Sequence, residues 1–263
     1  MKHQVFYLSG TGNTEMVVES LKSALDTIEL LSIFGKSNVK VDGSIVGFAF
    51  PVHSLGLPRI MAEFIESADL EKVDYMYAIA TMSAGYGVAF EQATKILKKR
   101  GKMLSATFAL ATGGNSNLFV KIPGTTPMLL EEAYEQRESD IQKRIQKIAM
   151  TIRLNETHKE PDIKCSFRII SNLANKAFVK RLPKFASGFH VDSACNQCGI
   201  CAKHCPVGNI EMTGEVPKWR GKCEACLRCF NICPKQSVQF GKMDDDRMHQ
   251  RYKKYLDINA FDG

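Results

Sequence analysis

Eight of the nine cysteines of this 263-residue chain lie between Cys195 and Cys233, and this cluster constrains the fold more than any other feature. They form two copies of one pattern, in which four cysteines follow one another at fixed spacings and a proline follows the last. The first copy comprises Cys195, Cys198, Cys201, Cys205 and Pro206, and the second comprises Cys223, Cys226, Cys229, Cys233 and Pro234. Each cysteine of the second copy lies 28 residues after its counterpart. The segment is therefore a repeated unit organised around its thiols.

The spacing C-x₂-C-x₂-C-x₃-C-P resembles the cluster-binding run of two-cluster bacterial ferredoxins. Apolar pairs follow each Cys-Pro at equal offsets, Ile210 and Met212 in the first copy and Val238 and Phe240 in the second, which is typical of short strands. The resemblance implies two [4Fe–4S] clusters, each bound by three cysteines of one copy and the last cysteine of the other. The implied ligands are Cys195, Cys198, Cys201 and Cys233 for one cluster, and Cys205, Cys223, Cys226 and Cys229 for the other.

Structural zinc and disulfides are the two other uses that such cysteines have. Structural zinc usually takes its thiolates from separated pairs around one tetrahedral ion, so triplets of cysteines at three-residue spacing fit it poorly. Disulfides need an oxidising compartment, and the sequence at Met1–Gln4 shows no signal peptide. Iron–sulfur clusters are therefore the favoured interpretation.

Near the N-terminus, the apolar run Val5–Leu8 is followed by a loop of small and hydroxyl residues and then by a helical pattern. The loop consists of Ser9, Gly10, Thr11, Gly12, Asn13 and Thr14. Backbone N–H groups and hydroxyls at a helix N-terminus favour an anion such as phosphate. A Walker A loop would need a lysine where Asn13 stands, and a dinucleotide fingerprint would need a glycine at Glu15. The loop instead resembles the FMN phosphate loop of flavodoxins; an ordinary glycine-rich turn is the alternative.

The first 155 residues alternate strand and helix patterns, which favours a doubly wound parallel α/β sheet. Five apolar runs predict its strands: Val5–Leu8, Ile28–Ile33, Ser44–Phe50, Val73–Thr81 and Met103–Leu110. Pro58 indicates a helix start and Gly101 a helix end. The isoleucines of Glu131–Arg153 form a stripe expected to face the sheet. The resemblance to flavodoxins implies the strand order 2-1-3-4-5, with the ligand at the carboxyl ends of the strands.

Two further loops follow strands three and four at that edge, in the positions of the flavodoxin loops that enclose the isoalloxazine ring. The implied flavin contacts are Pro51 and His53 in the first loop, and Ser83, Ala84, Gly85, Tyr86 and Gly87 in the second. Tyr86 is the candidate stacking aromatic, with a surface tyrosine as the alternative. His53 stands where flavodoxins usually carry an aromatic side chain, and a structural histidine is the alternative. The segment 112–117 would border the site or simply turn the chain.

Residues 156–189 form a basic linker, with no acidic residue between Asp162 and Asp192. Ile169, Ile170 and Leu173 have helical spacing, and the favoured interpretation is a helix packed between two domains. A helix on an anionic membrane surface or docked on an acidic redox partner is the alternative. Cys165 is expected to be a buried or incidental thiol. Residues 242–263 are expected to form a polar extension.

A flavodoxin-like segment, 1–155, followed by a ferredoxin-like segment, 190–241, resembles the fused flavodoxin–ferredoxin proteins of anaerobic bacteria and archaea. The resemblance implies a cytoplasmic electron-transfer protein that relays single electrons between two clusters and FMN and exchanges them with a redox protein. Two alternatives stay open: a flavin-dependent oxidoreductase that reduces a small molecule, and a non-redox scaffold with structural clusters. A homodimer is also open. The net charge is +7, but nucleic-acid binding is disfavoured because the basic segment lacks interleaved aromatics and a recognised binding fold.

Overall fold

The computed structural model describes residues 2–25, 27–34, 40–83, 85–112, 131–214 and 216–241, and of residues 131–137 only the backbone. The strands are β1 (His3–Tyr7), β2 (Ile28–Ser32), β3 (Ile45–Pro51), β4 (Tyr75–Met82), β5 (Ala106–Ala111), β6 (Phe189–Val191), β7 (Ile210–Thr213), β8 (Val216–Trp219) and β9 (Val238–Phe240). The helices are α1 (Asn13–Leu25), α2 (Arg59–Ser67), α3 (Ala89–Lys98), α4 (Glu131–Arg153), α5 (Cys165–Phe185), α6 (Ile200–Lys203) and α7 (Arg228–Ile232).

The contacts divide the chain into two compact units. Among the described residues, the first unit comprises those within 2–9, 13–112 and 131–177, and the second comprises 10–12 and those within 178–241. In the described part of the chain, no helix is both long enough and apolar enough to cross a membrane.

The first unit is a five-stranded parallel sheet in the order β2-β1-β3-β4-β5. Its strands are apolar because both faces are covered by helices. Side chains alternate across each strand, so that Val5 packs in the cluster with α1 and α4 while its neighbour Phe6 packs with α2 and α3. The predicted stripe of α4 is buried, as Ile145 shows with no exposed surface. This is the flavodoxin-like doubly wound fold, and the predicted fold class and strand order are confirmed.

The outer edge of this sheet is closed by the segment that follows α4. The N–H of Thr107 in β5 donates to the carbonyl of His158 (2.9 Å), and the N–H of Ala109 donates to the carboxylate of Glu160 (2.9 Å). Arg144 of α4 forms an ion pair with the same carboxylate. The backbone donors that β5 would otherwise present at an open edge therefore have partners within the chain.

The second unit contains two short two-stranded antiparallel sheets, β6 with β9 and β7 with β8. A shift of 28 residues maps one sheet onto the other with its register preserved. Phe189 pairs with Phe240, and the residues 28 positions away from them, Pro217 and Met212, also pair with each other. The strands expected after each Cys-Pro are present as β7 and β9.

The backbone of the second unit follows the same repeat. Three positions with left-handed backbone recur 28 residues apart: Gln197 and Ala225 (φ 63° and 52°), Gly199 and Leu227 (70° and 57°), and Gly208 and Gln236 (58° and 54°). Left-handed backbone suits glycine and costs other residues about 1 kcal/mol or more. The two copies thus keep one backbone path although only the first has glycines at two of these positions.

Helix α5 occupies much of the predicted basic linker, but its orientation differs from the expectation. Its buried side chains include the polar Ser171 and Asn175, whereas Ile169, Ile170 and Leu173 are 57%, 58% and 64% exposed. The expectation that these apolar positions are packed against protein was therefore wrong, because helical spacing identifies a stripe without saying what faces it. Cys165 at the helix start is exposed, so of the two expectations for it, a buried or an incidental thiol, only the incidental thiol agrees with the structure.

Candidate functional site

The carboxyl ends of β1, β4 and β5 are joined by polar side chains in the first unit. The hydroxyl of Thr14, in the first turn of α1, lies 2.8 Å from the hydroxyl of Thr81 at the end of β4. The amide nitrogen of Asn13 lies 3.4 Å from the hydroxyl of Thr112, directly after β5. Thr14 and Thr81 are almost fully buried. The start of α1 is thereby fixed relative to two other strand ends, which orients its N-terminus at the edge where ligands bind in this fold.

The predicted phosphate loop lies at this helix start. Ser9 is buried, and its hydroxyl accepts a hydrogen bond from the N–H of Glu15 (3.3 Å). Gly12 has a φ of 94°, a conformation that favours glycine and allows the chain to turn into α1. Gly10 and Thr11, together with Gly12, are grouped with the second unit by their contacts.

The loop after β3 makes a tight turn. Pro51 is the last residue of the strand, and His53 and Gly56 exchange two backbone hydrogen bonds of 3.0 and 3.1 Å. The two residues between them, Ser54 and Leu55, both have left-handed backbone, with φ of 46° and 63°. This combination is typical of a type I′ turn, in which both central residues have positive φ. Non-glycine residues in such a conformation are held there by surrounding contacts.

The imidazole of His53 is neutral at physiological pH. Burial disfavours its charged form and lowers its pKa to about 4. A neutral imidazole offers one hydrogen-bond donor and one acceptor at its two ring nitrogens.

The loop after β4 is fastened to the turn after β3. The N–H of Val88 donates to the carbonyl of Leu55 (2.8 Å), and Gly87, with a φ of 50°, lies so close that a β-carbon there would be 2.1 Å from the same oxygen. Only glycine fits at position 87. Ser83 is exposed, and the space beside Gly85 is open. Ala84 lies outside the described residues.

Tyr86 has partners of its own within the first unit. Its ring packs on Phe90 with the centroids 5.2 Å apart, and its hydroxyl donates to the carbonyl of Pro161. Burial, followed by the nearby charges of Glu160 and Asp162, raises the pKa of its hydroxyl. The hydroxyl of Tyr86 therefore stays protonated and is able to donate its hydrogen bond to Pro161.

Sequence reasoning missed a polar pair behind the turn at His53, formed by a buried asparagine and a half-buried glutamine. The side chain of Asn175 in α5 donates to the carbonyl of His53 (2.8 Å) and accepts from the side-chain amide of Gln92 in α3 (3.0 Å). The carbonyl of the same Gln92 side chain accepts from the N–H of Leu57 (2.7 Å). Gly56 makes room for this pair, because a β-carbon there would lie 2.3 Å from Asn175. No local signal in the sequence connects these positions.

The second unit contains two cavities whose walls include cysteines. Among the residues that line one cavity are Cys195, Cys198, Cys201 and Cys233, and among those that line the other are Cys205, Cys223, Cys226 and Cys229. Each cavity thus brings together three cysteines of one copy and the last cysteine of the other copy. All nine cysteines of the chain are free thiols. In the part of the chain that the structure describes, no three His, Cys, Asp or Glu side chains converge on a point where they would hold a single metal ion.

Backbone N–H groups point at several of these sulfurs. Asn209 donates to the sulfur of Cys205 (3.2 Å), and Ala225 donates to that of Cys223 (3.3 Å). The hydroxyl of Ser237, 28 residues after Asn209, lies 3.6 Å from the sulfur of Cys233. Hydrogen bonds of this kind stabilise a thiolate more than a thiol.

Burial raises the pKa of four of these thiols, those of Cys201, Cys223, Cys226 and Cys229. It raises the pKa of Cys201 and Cys223 to about 11 and that of Cys226 to about 12. At Cys233 burial also raises the pKa, but hydrogen bonds from the Ser237 hydroxyl and from backbone N–H groups outweigh it, and the pKa is lowered. Because metals bind thiolates, loading such a site with metal would release protons.

Comparison with known proteins adds little to this geometry. No protein-family model matches the chain, and no curated protein does. Among solved structures, a protein of Bacteroides uniformis ATCC 8492 that carries the provisional name flavoprotein is similar, with 21% identity, 46% of this chain and 95% of that chain covered, and a TM-score of 0.34. The two-electron reduced flavodoxin of Megasphaera elsdenii is similar with 15% identity, 55% and 98% covered, and a TM-score of 0.33. Likenesses this weak carry no argument about function.

Proposed function

We propose that this chain is an electron-transfer protein that holds two [4Fe–4S] clusters and one FMN and exchanges single electrons with a redox partner. The observation that carries the proposal is the pair of cavities in the second unit, each lined by four cysteines. A flavodoxin-like first unit with a hydroxyl-rich loop at the start of α1 supports the flavin part. Bound in these sites, the clusters would supply one-electron transfer, and FMN would supply conversion between one-electron and two-electron transfer.

The residues fit the clusters in number and in chemistry. Four thiols stand around each cavity, which is the donor set that a [4Fe–4S] cluster takes. The N–H groups of Asn209 and Ala225 are hydrogen-bond donors to ligand sulfurs, and such donors are among the features that tune the potential of a cluster. Buried apolar side chains, including Leu227 and Val238, shield the sites from water.

The loop at the start of α1 fits a flavin phosphate through neutral donors. Ser9, Gly10, Thr11, Gly12, Asn13 and Thr14 are the proposed phosphate contacts. The N-terminus of α1 would contribute the positive end of its dipole. Ser9 and Thr14 would share their hydroxyls between the phosphate and the protein partners described above.

Contacts to the flavin ring are proposed at Pro51, His53 and the loop 83–87. The neutral imidazole of His53 is able to donate or accept one hydrogen bond at the ring edge. Stacking by Tyr86 would require its side chain to leave Phe90 and Pro161. The open space beside Gly85 is the alternative point of approach, through the backbone.

The proposed partner is a redox protein, with an acidic surface as the complement of the positive net charge of the chain. We also propose a cytoplasmic location in an anaerobe and leave a homodimer as an option for the assembly. Each of these rests on the sequence alone.

The deciding experiment is anaerobic purification of the full chain with iron, sulfide and flavin quantified, followed by a redox titration monitored by absorbance and EPR. The proposal expects about eight irons and one FMN per chain, and electrons that pass from the reduced clusters to the flavin. Eight irons without flavin would overturn the FMN assignment. Rapid steady-state reduction of a small molecule would favour an oxidoreductase, and clusters that no physiological donor reduces would favour a scaffold.

A further inference from the structure

The first turns of α5 expose a group of large apolar side chains. Phe167, Ile169, Ile170 and Leu173 are 36%, 57%, 58% and 64% exposed. These four account for half of the large apolar side chains that are exposed in the described part of the chain, and they lie within seven positions. Concentrated exposed apolar surface of this kind marks an interaction site.

The helix is attached to the first unit through polar contacts, which leaves its apolar residues facing outward. Asn175 bonds to the carbonyl of His53, and Arg168 forms an ion pair with Glu91 (2.7 Å). Ser171 between them has no exposed surface. The outward direction of Ile169 and Leu173 is therefore fixed by the contacts of the opposite face of the helix.

The exposed face also carries positive charge without any negative charge. We call Ile169, Ile170, Leu173, Lys176, Lys180 and Lys184 the outer face of α5. At 3.6 residues per turn these positions fall within an arc of about 120°. No acidic residue occurs from 163 to 191. The three lysines follow the apolar residues along the same side of the helix and are four residues apart from one another.

We infer that the outer face of α5 binds the surface of a lipid bilayer that contains anionic lipids. The apolar side chains would enter the boundary between headgroups and acyl chains, and the lysines would reach lipid phosphates. A helix with apolar residues and lysines and without acidic residues has the composition of helices that lie in this interface.

The charge pattern favours a bilayer over an acidic protein as the occupant. A bilayer presents negative charge everywhere, so that it suits a surface of a single sign, and the long lysine stems adapt to headgroup height while their amines stay in water. Interfaces between proteins instead place charged residues at a rim around an apolar core and deplete lysine. On α5 the lysines continue the apolar row rather than surround it.

The test measures partition of the full-length protein, purified anaerobically, onto vesicles by flotation. One set of vesicles contains phosphatidylcholine only, and in the other a third of the lipid is phosphatidylglycerol. We expect binding only to the second set, weakened by salt because the lysine contribution is screened. The variant K176Q/K180Q/K184Q should lose about fivefold in partition coefficient per lysine removed. The variant I169S/L173S should lose at least about tenfold at unchanged charge.

Matched variants distinguish this face from the net charge of the protein. K95Q/K98Q/K99Q removes three exposed lysines of the first unit, and M150S/L154S removes two exposed apolar side chains of comparable exposure. Both should bind vesicles like the unaltered protein. Neither result depends on the iron or flavin content, so the test is independent of the proposed function.

Four outcomes would overturn the inference. The first is no binding to anionic vesicles at low salt. The second is equal loss of binding in the matched variants, which would reduce the effect to overall charge. The third is concentration-dependent self-association that I169S/L173S abolishes, which would assign the outer face of α5 to a second copy of the chain. Specific binding of an acidic protein through this face, without vesicle binding, would overturn it equally.

Discussion

Asn175 donates a hydrogen bond of 2.8 Å to the carbonyl of His53, across 122 residues of sequence. Asn175 is 4% exposed, and the turn that it holds contains two non-glycine residues with left-handed backbone. The bond therefore connects a strained turn to a helix that is far away in sequence, and it holds the turn in place. Asn175 is a positioning residue for this turn.

Replacing Asn175 by alanine should lower the free energy of unfolding by about 1–3 kcal/mol, because the carbonyl of His53 and the amide of Gln92 lose a buried partner. Urea unfolding followed by circular dichroism would measure the loss. Asn172→Ala is the matched control, since the Asn172 side chain donates to the carbonyl of Arg168, one turn earlier in its own helix. Equal losses in the two variants would contradict the role assigned to Asn175.

The same substitution should couple energetically to Gln92. In a double-mutant cycle, Gln92→Ala should cost less in the Asn175→Ala background than alone, with a coupling energy of about 0.5–3 kcal/mol. Faster amide exchange at Gly56 and Leu57 in each single variant would locate the effect in the turn. Additive losses would show that the two side chains act independently.

The cysteines that line each cavity predict which cysteine variants lose the same cluster signal. If the cavities hold clusters, Cys205→Ala and Cys226→Ala should lose the same EPR signal and about four irons per chain. Cys198→Ala and Cys233→Ala should lose the other signal. Cys165→Ala, which alters a cysteine outside both cavities, should keep both. A Cys205 variant that instead loses the signal lost with Cys198 would contradict the cross-copy grouping.

The left-handed position of Gly208 predicts a cost for any side chain there. Among the described residues, none beyond its two chain neighbours lies within 4 Å of the β-carbon that an alanine would add, so the backbone conformation sets the effect. Gly208→Ala should destabilise the second unit by about 1 kcal/mol. The emission of Trp219, the single tryptophan of the chain, would report the unfolding midpoint.

Gly221→Ala serves as the control for that substitution. Gly221 also has open space at its β-carbon, but its φ lies outside the left-handed range. Its midpoint should shift by much less than that of Gly208→Ala. In the reverse direction, Gln236→Gly places glycine at the equivalent left-handed position, and it should be neutral or stabilising. A large loss in Gln236→Gly would show that its side chain matters more than its backbone.

His3 predicts a dependence of stability on pH. Its ring lies 2.8 Å from the hydroxyl of Tyr77, and burial lowers its pKa to about 4. The unfolded chain, in which the histidine pKa is near 6.5, therefore binds a proton that the folded chain excludes. The contribution of His3 to the free energy of unfolding is fully present above pH 6.5 and is lost as the pH decreases from 6.5 toward 4.

His3→Gln should remove part of that loss. Glutamine cannot titrate in this range, so the difference in unfolding free energy between neutral pH and pH 5 should shrink by about 1–2 kcal/mol. His190→Gln, at an exposed position, is the control and should leave the difference unchanged. An unaltered acid slope in His3→Gln would show that other groups cause it.

The sheet of the first unit was predictable because its strands are buried on both faces. A strand such as β3, with Phe48 and Phe50 directed to one side and Ala49 to the other, must be apolar throughout. Such runs are visible in a sequence at their full length. Strand order itself came from resemblance, since apolar runs do not say which strands are neighbours.

The face of α5 and the bond from Asn175 to His53 were not predictable for a related reason. Helical spacing reveals that Ile169 and Leu173 share one side of a helix, but the same pattern serves a buried or an exposed stripe. Whether the stripe is buried depends on contacts such as the hydrogen bond from Asn175 to His53, which lies far away in sequence. The left-handed backbone of Gln236 was not predictable either. Glycine, the residue that signals this conformation, occurs at the equivalent position of the first copy, Gly208, but not at position 236.

The division of cysteines between the two cavities has a consequence for the symmetry of the second unit. Each copy of the repeat supplies three thiols to one cavity and a single thiol to the other. A chain cut between the copies would leave neither cavity with its full set. Two identical halves would complete both cavities only as a closed pair related by a twofold axis. Because the two copies are covalently linked, a single chain completes both cavities at any protein concentration. A half-length chain would complete them only by dimerising, which depends on concentration.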